Sequence, residues 1–101
     1  MNLQTANKFE KLDLELTELI TKLKVATKDN IYLEVDSLGF DETIDEWKKY
    51  REVKARFDSS GFAGGTMYSL IYSNSLSTTT EEKIKSLEKE FEIELRKYAN
   101  L

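Results

Sequence analysis

Residues 9–26 read FEKLDLELTELITKLKVA, and their apolar side chains recur at the period of an α-helix. The steps between these side chains alternate between three and four residues, which is the spacing of an a/d seam. At 100° per residue they fall within one arc of the helix. This arc, the main seam, consists of Phe9, Leu12, Leu16, Leu19, Leu23 and Ala26.

A second and thinner apolar stripe lies almost opposite the main seam and consists of Leu3, Leu14 and Val25. A helix that is apolar on two sides usually lies between two neighbours. Two interpretations stay open: both stripes face the chain's own core, or one of them meets a second subunit. The flanking charges follow no consistent pattern, so a long dedicated coiled coil is not supported. We expect a homo-oligomer that assembles through Leu3, Leu14 and Val25 or through the main seam.

A second helix is predicted to begin near Thr43. Thr43 and Glu46 have the spacing of a capping box, and several carboxylates lie where the helix dipole is positive. The run 58–61 predicts the end of this helix. Its apolar residues share one broad face, which consists of Ile44, Trp47, Tyr50, Val53 and Phe57.

A third amphipathic helix is predicted to begin in the polar run 77–80, where Thr79 and Glu82 again have capping-box spacing. The pairs Glu81 to Lys85 and Glu92 to Arg96 run in the favourable i to i+4 order. The apolar face of this helix consists of Ile84, Leu87, Phe91, Leu95, Tyr98 and Leu101.

Two further segments have no clear assignment. Residues 31–35 are rich in β-forming side chains, and residues 67–73 fit both the alternation of a strand and the spacing of a short helix. We favour an extra short helix or irregular turns over a short β-pair of these segments, because two isolated strands are marginal. The expected fold is mainly α: three amphipathic helices packed as a small bundle in a single domain, 1–101.

Composition excludes several classes of function. The chain has 101 residues, 34% of them charged, and it contains no Cys, no His and no Pro. Without Cys and His, disulfides, thiolate metal sites and His-based triads are excluded, although carboxylate or Lys catalysis stays open. The apolar runs are too short for a membrane span or a secretory segment. We therefore expect a soluble cytoplasmic protein that is not an enzyme and needs neither a metal nor a cofactor.

The positive charge is concentrated in residues 48–56, which hold five cations and one anion although the whole chain has a net charge of −4. The next run, 58–66, contains three of the four glycines, whose backbone can approach an anion closely. Together these runs predict a site for a phosphate or nucleotide, although neither nucleotide-binding glycine motif is present. The alternative is an ordinary connection between helices. The candidate ligand-binding residues are Trp47, Tyr50, Arg51, Lys54, Arg56, Ser60, Gly64, Gly65 and Thr66.

Surface carboxylates form the counterpart of this basic run, in 41–46 and 88–94. Such an array imitates nucleic-acid phosphates in some proteins, but most acidic runs are solvated faces. The function predicted first is therefore a small regulator or inhibitor, of the kind found among phage or bacterial accessory proteins, that binds another protein. Capture of an anionic small ligand such as a nucleotide or cyclic nucleotide is the second hypothesis, and an acidic nucleic-acid mimic is a further alternative. Direct nucleic-acid binding ranks below these, because most of the chain is acidic.

Overall fold

The computed structural model of the chain describes residues 3–28 and 39–100, with side chains from residue 7 onward. Within these ranges the chain is helical and contains no strand. The elements are α1 (Leu3–Thr27), α2 (Phe40–Ser59), a short 3-10 helix (Ser60–Phe62), α3 (Met67–Glu90) and α4 (Glu92–Ala99). The predicted all-α class is therefore confirmed. Residues 67–73 belong to α3, and residues 31–35 lie outside the described ranges.

Helix α3 is the central element, and both α1 and α2 pack against it. Helices α2 and α3 are antiparallel, because Phe40 contacts Phe91 at one end of the pair and Asp58 contacts Ser75 at the other. Helix α1 runs parallel to α3, since Lys8 pairs with Glu81 and the leucines further along α1 pack against the end of α3. The result is an elongated bundle of 51 × 24 × 16 Å.

The main seam of α1 forms the apolar core, whereas the interpretation in which both stripes face the chain's own core is wrong, because Leu14 and Val25 are exposed. Leu16, Leu19 and Leu23 are buried against Leu87 and Phe91, near the junction of α3 and α4. The ring of Phe40 meets the ring of Phe91 edge-on, with 6.3 Å between the centroids. On the opposite side of α1, Leu14 and Val25 are exposed, whereas the side chain of Leu3 lies outside the described part. Self-association through this stripe stays a prediction.

The α2–α3 pair differs from this core because its buried residues are mostly small. On α2 they include Ala55 and Ser59. Small side chains allow two helices to approach closely, but they bury little apolar area. The hydroxyl of Ser59 donates to the carbonyl of Ala55, so this buried polar group is satisfied within its own helix. The buried residues in the first part of α3 are all small and polar: Ser73, Ser75, Ser77, Thr79 and Thr80.

Both predicted capping boxes are wrong. Helix α2 begins at Phe40, after Gly39 in the left-handed conformation at φ 73°. The hydroxyl of Thr43 donates to the carbonyl of Phe40 and caps no backbone N–H. Thr79 lies in the middle of α3, which begins at Met67. The Ser/Thr-rich run contains neither Gly nor Pro and continues the helix, with the hydroxyl of Thr80 donating to the carbonyl of Leu76.

The predicted face of α2 is also wrong in part. Ile44 is buried and Trp47 is half-buried, but Tyr50, Val53 and Phe57 are exposed. The helix is rotated so that another stripe faces inward, which consists of Ile44, Arg51, Ala55 and Ser59.

The third predicted helix is interrupted at Phe91, whose backbone lies at φ −110° and ψ 30° and divides α3 from α4. Its apolar face is confirmed at Leu87 and Phe91, which are buried. The predicted pair of Glu92 and Arg96 is present at 2.8 Å. Glu81 lies 3.5 Å from Lys8 of α1, so this carboxylate links two helices.

No helix in the described ranges combines the length and the apolar content needed to cross a bilayer. The cellular location of the chain stays a prediction.

Replacement of Leu23 by Ala should lower the free energy of unfolding by about 2–5 kcal/mol, because it leaves a cavity at a fully buried position. Urea unfolding followed by circular dichroism measures this loss. Leu14→Ala, at an exposed position of the same helix, should change the free energy by less than about 0.5 kcal/mol. Equal losses in the two variants would contradict this assignment of the core.

Candidate functional site

One end of the elongated bundle is formed by the turn between α2 and α3. Arg51 contacts both Asp13 of α1 and Thr80 of α3, which places these two residues at one level of the bundle. From that level α1 continues for ten residues to Leu3, and α3 for thirteen residues to Met67. At 1.5 Å per residue, α3 therefore extends about 5 Å beyond the described start of α1. The hairpin tip is defined here as residues 57–67.

The hairpin tip is exposed and uncharged beyond Asp58. Every residue from 60 to 67 is exposed. Three large apolar side chains lie on this tip: Phe57, which is 76% exposed, Phe62 and Met67. No Asp, Glu, Lys or Arg occurs among the 22 residues from 59 to 80, although 34% of the chain is charged. Burial explains the absence of charge further along α3, but it does not explain it at the exposed tip.

The turn itself follows from its glycines. Gly64 adopts φ 82°, in the left-handed region that a side chain would strain. The N–H of Gly65 donates to the carbonyl of Phe62 over 3.0 Å and closes the turn. A Cβ atom on Gly65 would lie 3.3 Å from that same carbonyl oxygen. The glycines predicted to face an anion therefore have a structural role in the turn.

Arg51 lies inside the bundle and not on a binding surface. Its side chain is 10% exposed, and its guanidinium donates to Asp13 Oδ1 over 2.8 Å and to Thr80 Oγ1 over 3.1 Å. The same group lies 4.9 Å from the ring centroids of both Phe9 and Trp47. Contacts with a carboxylate and two aromatic faces compensate the burial of this charge. Arg51 thus connects three helices.

Lys54 belongs to a second polar group on the α2–α3 pair. Its ammonium donates to Asp58 Oδ2 over 2.8 Å, and the hydroxyl of Ser75 donates to the same oxygen over 2.7 Å. These two hydrogen bonds, from Lys54 first and then Ser75, hold the pKa of Asp58 below its ordinary value of 3.8. The hydrogen bond to Asp58 raises the pKa of Lys54. Both side chains line a groove of about 260 Å³, together with Thr79, whose buried hydroxyl has no hydrogen-bond partner within the described ranges.

Arg56 lines a different groove, of about 340 Å³, with Glu52, Tyr68, Ser69 and Tyr72. The rings of Tyr68 and Tyr72 are stacked, with centroids 6.1 Å apart. The hydroxyl of Tyr72 donates to Glu52 Oε2 over 2.6 Å, and burial together with this bond raises the pKa of Tyr72 to about 12. The guanidinium of Arg56 lies 4.0 Å from Glu52 Oε1, so the two charges are only loosely paired.

The structure distributes the nine predicted ligand-binding residues over separate places. Trp47 and Arg51 belong to the interior contact, whereas Lys54 and Arg56 line different grooves. Tyr50 is exposed on α2. The remaining four lie on the hairpin tip: Ser60, Gly64, Gly65 and Thr66. No single surface unites the nine, and binding of an anionic ligand stays a prediction.

Sequence reasoning missed the partners of Arg51 and the tyrosines beside Arg56. Nothing local in the sequence places Asp13 next to Arg51, because 38 residues separate them. A visible signal did exist for the hairpin tip, since the charge-free run 59–80 can be read directly from the sequence. Among the residues that the structure describes, no three potential acidic metal ligands come together.

The fold and its surface define a class of protein: a small helical bundle whose candidate site is an exposed apolar tip suited to contact with another macromolecule. The model of one family, described as lysozyme inhibitor LprI, matches residues 1–87 of the chain. The chain therefore belongs to the lysozyme inhibitor LprI family, a family of inhibitors and not of enzymes. The matched span includes α1, α2, the hairpin tip and all but the last residues of α3. Neither the search of curated proteins nor the search of solved structures gave a match.

The contact around Arg51 predicts that removal of its partner Asp13 destabilises the fold more than removal of Arg51 itself. Asp13→Ala should lower the free energy of unfolding by about 1–3 kcal/mol, because it leaves a buried guanidinium without its carboxylate. Arg51→Met should cost less than about 1 kcal/mol, because it removes the buried charge and keeps a long apolar side chain. The Asp13 carboxylate that remains is 36% exposed and can be hydrated. Urea titration measures both values, and the reverse order would contradict this account.

The Lys54–Asp58 pair predicts a pH-dependent stability. The hydrogen bonds from Lys54 and Ser75 that lower the pKa of Asp58 stabilise the fold above about pH 4. This contribution is lost as the pH falls through the pKa of Asp58 in the folded state. The raised pKa of Lys54 stabilises the fold below about pH 10.5, and this contribution is lost at higher pH. Wild type should therefore melt above Asp58→Asn near neutral pH, and the difference should shrink at both extremes. If the melting temperatures of wild type and Asp58→Asn differed by the same amount at about pH 3 and about pH 7, this pairing would be contradicted.

Proposed function

We propose that the chain is a non-covalent inhibitor of a lysozyme, which it binds as a folded protein. The observation that carries this proposal is the match of residues 1–87, 87 of the 101 residues, to the lysozyme inhibitor family. The matched residues include both the main seam, which builds the core, and the exposed hairpin tip. The candidate contact surface and nearly all of the three long helices therefore lie within the matched span.

The chemistry of the partner supports inhibition by occlusion. A lysozyme cleaves a polysaccharide between two carboxyl groups, one of which acts as the general acid. The polysaccharide must lie in a cleft beside both groups for cleavage to occur. A protein that covers this cleft excludes the substrate without any chemical step of its own. Inhibition of this kind needs a complementary surface, and it needs neither a nucleophile nor a metal on the inhibitor.

The surface of the chain supplies residue types that are typical of protein interfaces. Aromatic residues, Met and Arg are enriched at the centres of such interfaces, whereas Lys, Glu and Asp are depleted. Phe57, Phe62 and Met67 are exposed at one end of the bundle, with Arg56 next to them in the sequence. The acidic remainder of the surface favours solubility of the free inhibitor.

The proposal predicts stoichiometric inhibition of cell-wall lysis. Lysozymes from animals, bacteria and phages should be titrated with the chain while the clearing of a bacterial cell-wall suspension is followed by turbidity. For at least one enzyme, activity should fall to zero near one equivalent, and calorimetry should give a dissociation constant of about 10⁻⁷ M or lower, which is usual for specific interfaces of standard size.

The control is a variant that cannot form the core, Leu16→Asp with Leu23→Asp, since both leucines are buried. It should neither bind nor inhibit if the folded surface is required. Lack of binding and inhibition by the wild-type chain across all the lysozymes would refute the proposed function.

A further inference from the structure

We infer that the hairpin tip, residues 57–67, is the part of this chain that enters the substrate cleft of the lysozyme, with Arg56 directed at the catalytic carboxylates. The inference rests on the proposed function and adds to it the contact surface and the orientation of the complex. Three features of the tip support it: the absence of charge beyond Asp58, its apolar side chains and the cation Arg56 beside it.

The lack of charge lowers the cost of removing the tip from water. Burial of an unpaired charge in an interface costs far more than burial of apolar or hydrogen-bonded groups. The exposed run 60–67 contains no charged side chain, whereas 34% of the whole chain is charged. Charged residues are among the residues most often exposed in proteins, because they remain hydrated at the surface. The tip can therefore be buried against an enzyme without an unpaired charge of its own between residues 59 and 67.

The apolar side chains of the tip serve as anchors. Phe57 is 76% exposed, and Phe62 and Met67 are exposed beside the same turn. A Phe side chain that is transferred from water into a complementary pocket is a typical source of binding energy at a protein interface. Gly61, Gly64 and Gly65 add no side-chain bulk to this end of the bundle. These three positions therefore present no side chain that would obstruct entry into a groove.

Charge complementarity selects the cleft over the rest of the enzyme surface. Arg51 is buried against Asp13, and residues 52–80 carry two cations and two anions, so the hairpin end is neutral, whereas the rest of the chain carries a net charge of −4. Two carboxyl groups in the cleft attract the exposed cation Arg56 and repel the acidic remainder of the chain. The side chain of Arg56 is 62% exposed and lies 4.0 Å from Glu52, so it can turn to a new carboxylate at little cost. The bundle is therefore expected to bind end-on, with α4 directed away from the enzyme.

Four single variants test the inference in two matched pairs. Phe57→Ser removes an exposed apolar side chain at the tip, and Ile93→Ser removes one on α4. Arg56→Glu reverses an exposed charge that is paired with a Glu four residues earlier, and Arg96→Glu does the same on α4, where Arg96 pairs with Glu92. All four positions are exposed, so circular dichroism should show unchanged helicity in each case.

The expected result is a loss of inhibitory affinity of about tenfold or more for Phe57→Ser and for Arg56→Glu. Ile93→Ser and Arg96→Glu should each stay within about twofold of the wild type. A trisaccharide of β-1,4-linked N-acetylglucosamine, which occupies the cleft, should compete with the wild-type inhibitor in calorimetry. Together these results would support entry of the tip into the cleft.

The opposite results separate the two proposals. If the wild type inhibits but the tip variants match their α4 controls, or if the trisaccharide does not compete, the inference is overturned and the proposed function stands. If Phe57→Ser abolishes a dimer of the chain while inhibition is unchanged, the tip is a contact between copies and the inference is also overturned. If the wild type inhibits no lysozyme, the proposed function fails and the inference fails with it.

Discussion

The buried guanidinium of Arg51 determines how the three long helices are arranged. It extends from α2 to Asp13 of α1 and Thr80 of α3, with the rings of Phe9 and Trp47 on either side. A charge held inside a bundle must keep its partners, because separation from them carries a large desolvation penalty. The rotation of α2 that places Arg51 inside the bundle also turns Ile44, Ala55 and Ser59 inward. Tyr50, Val53 and Phe57 consequently face solvent, although they lie on the apolar side of the helix.

The exposure of Phe57 is therefore connected to an interaction on the other side of the same helix. If α2 were rotated so that Tyr50, Val53 and Phe57 faced inward, Arg51 would move toward the surface and Asp13 would lose its partner. The exposure of Phe57 at the hairpin tip therefore follows from the way in which α2 packs in the bundle. Under the proposed function, these outward-facing apolar side chains would contact the enzyme, because a binding protein needs apolar side chains on its surface.

The part of the fold that is predictable from the sequence is the part that depends on local periodicity. The main seam of α1 and the apolar residues Leu87 and Phe91 are where the helical spacing places them. The start of α3 was missed because Thr79 and Glu82 resemble a helix start, whereas the preceding Ser and Thr residues continue the helix. The interior place of Arg51 depends on a contact across 38 residues, which no local pattern carries. For the same reason, the nine residues proposed for an anion site were neighbours in the sequence but not on one surface.

The two ends of the bundle differ in what holds them together. Leucine and phenylalanine side chains fill the end where α1 meets the α3–α4 junction, whereas the end beside the turn is filled by serine, threonine and alanine. Local opening requires less free energy where less apolar surface is buried. We therefore expect the amide hydrogens in the last turns of α2 and the first turns of α3 to exchange with solvent through partial opening, at a smaller free-energy cost than those of the leucine-rich end. Under the proposed function, the end of the bundle that contacts the enzyme is therefore the end that needs less free energy to change its shape.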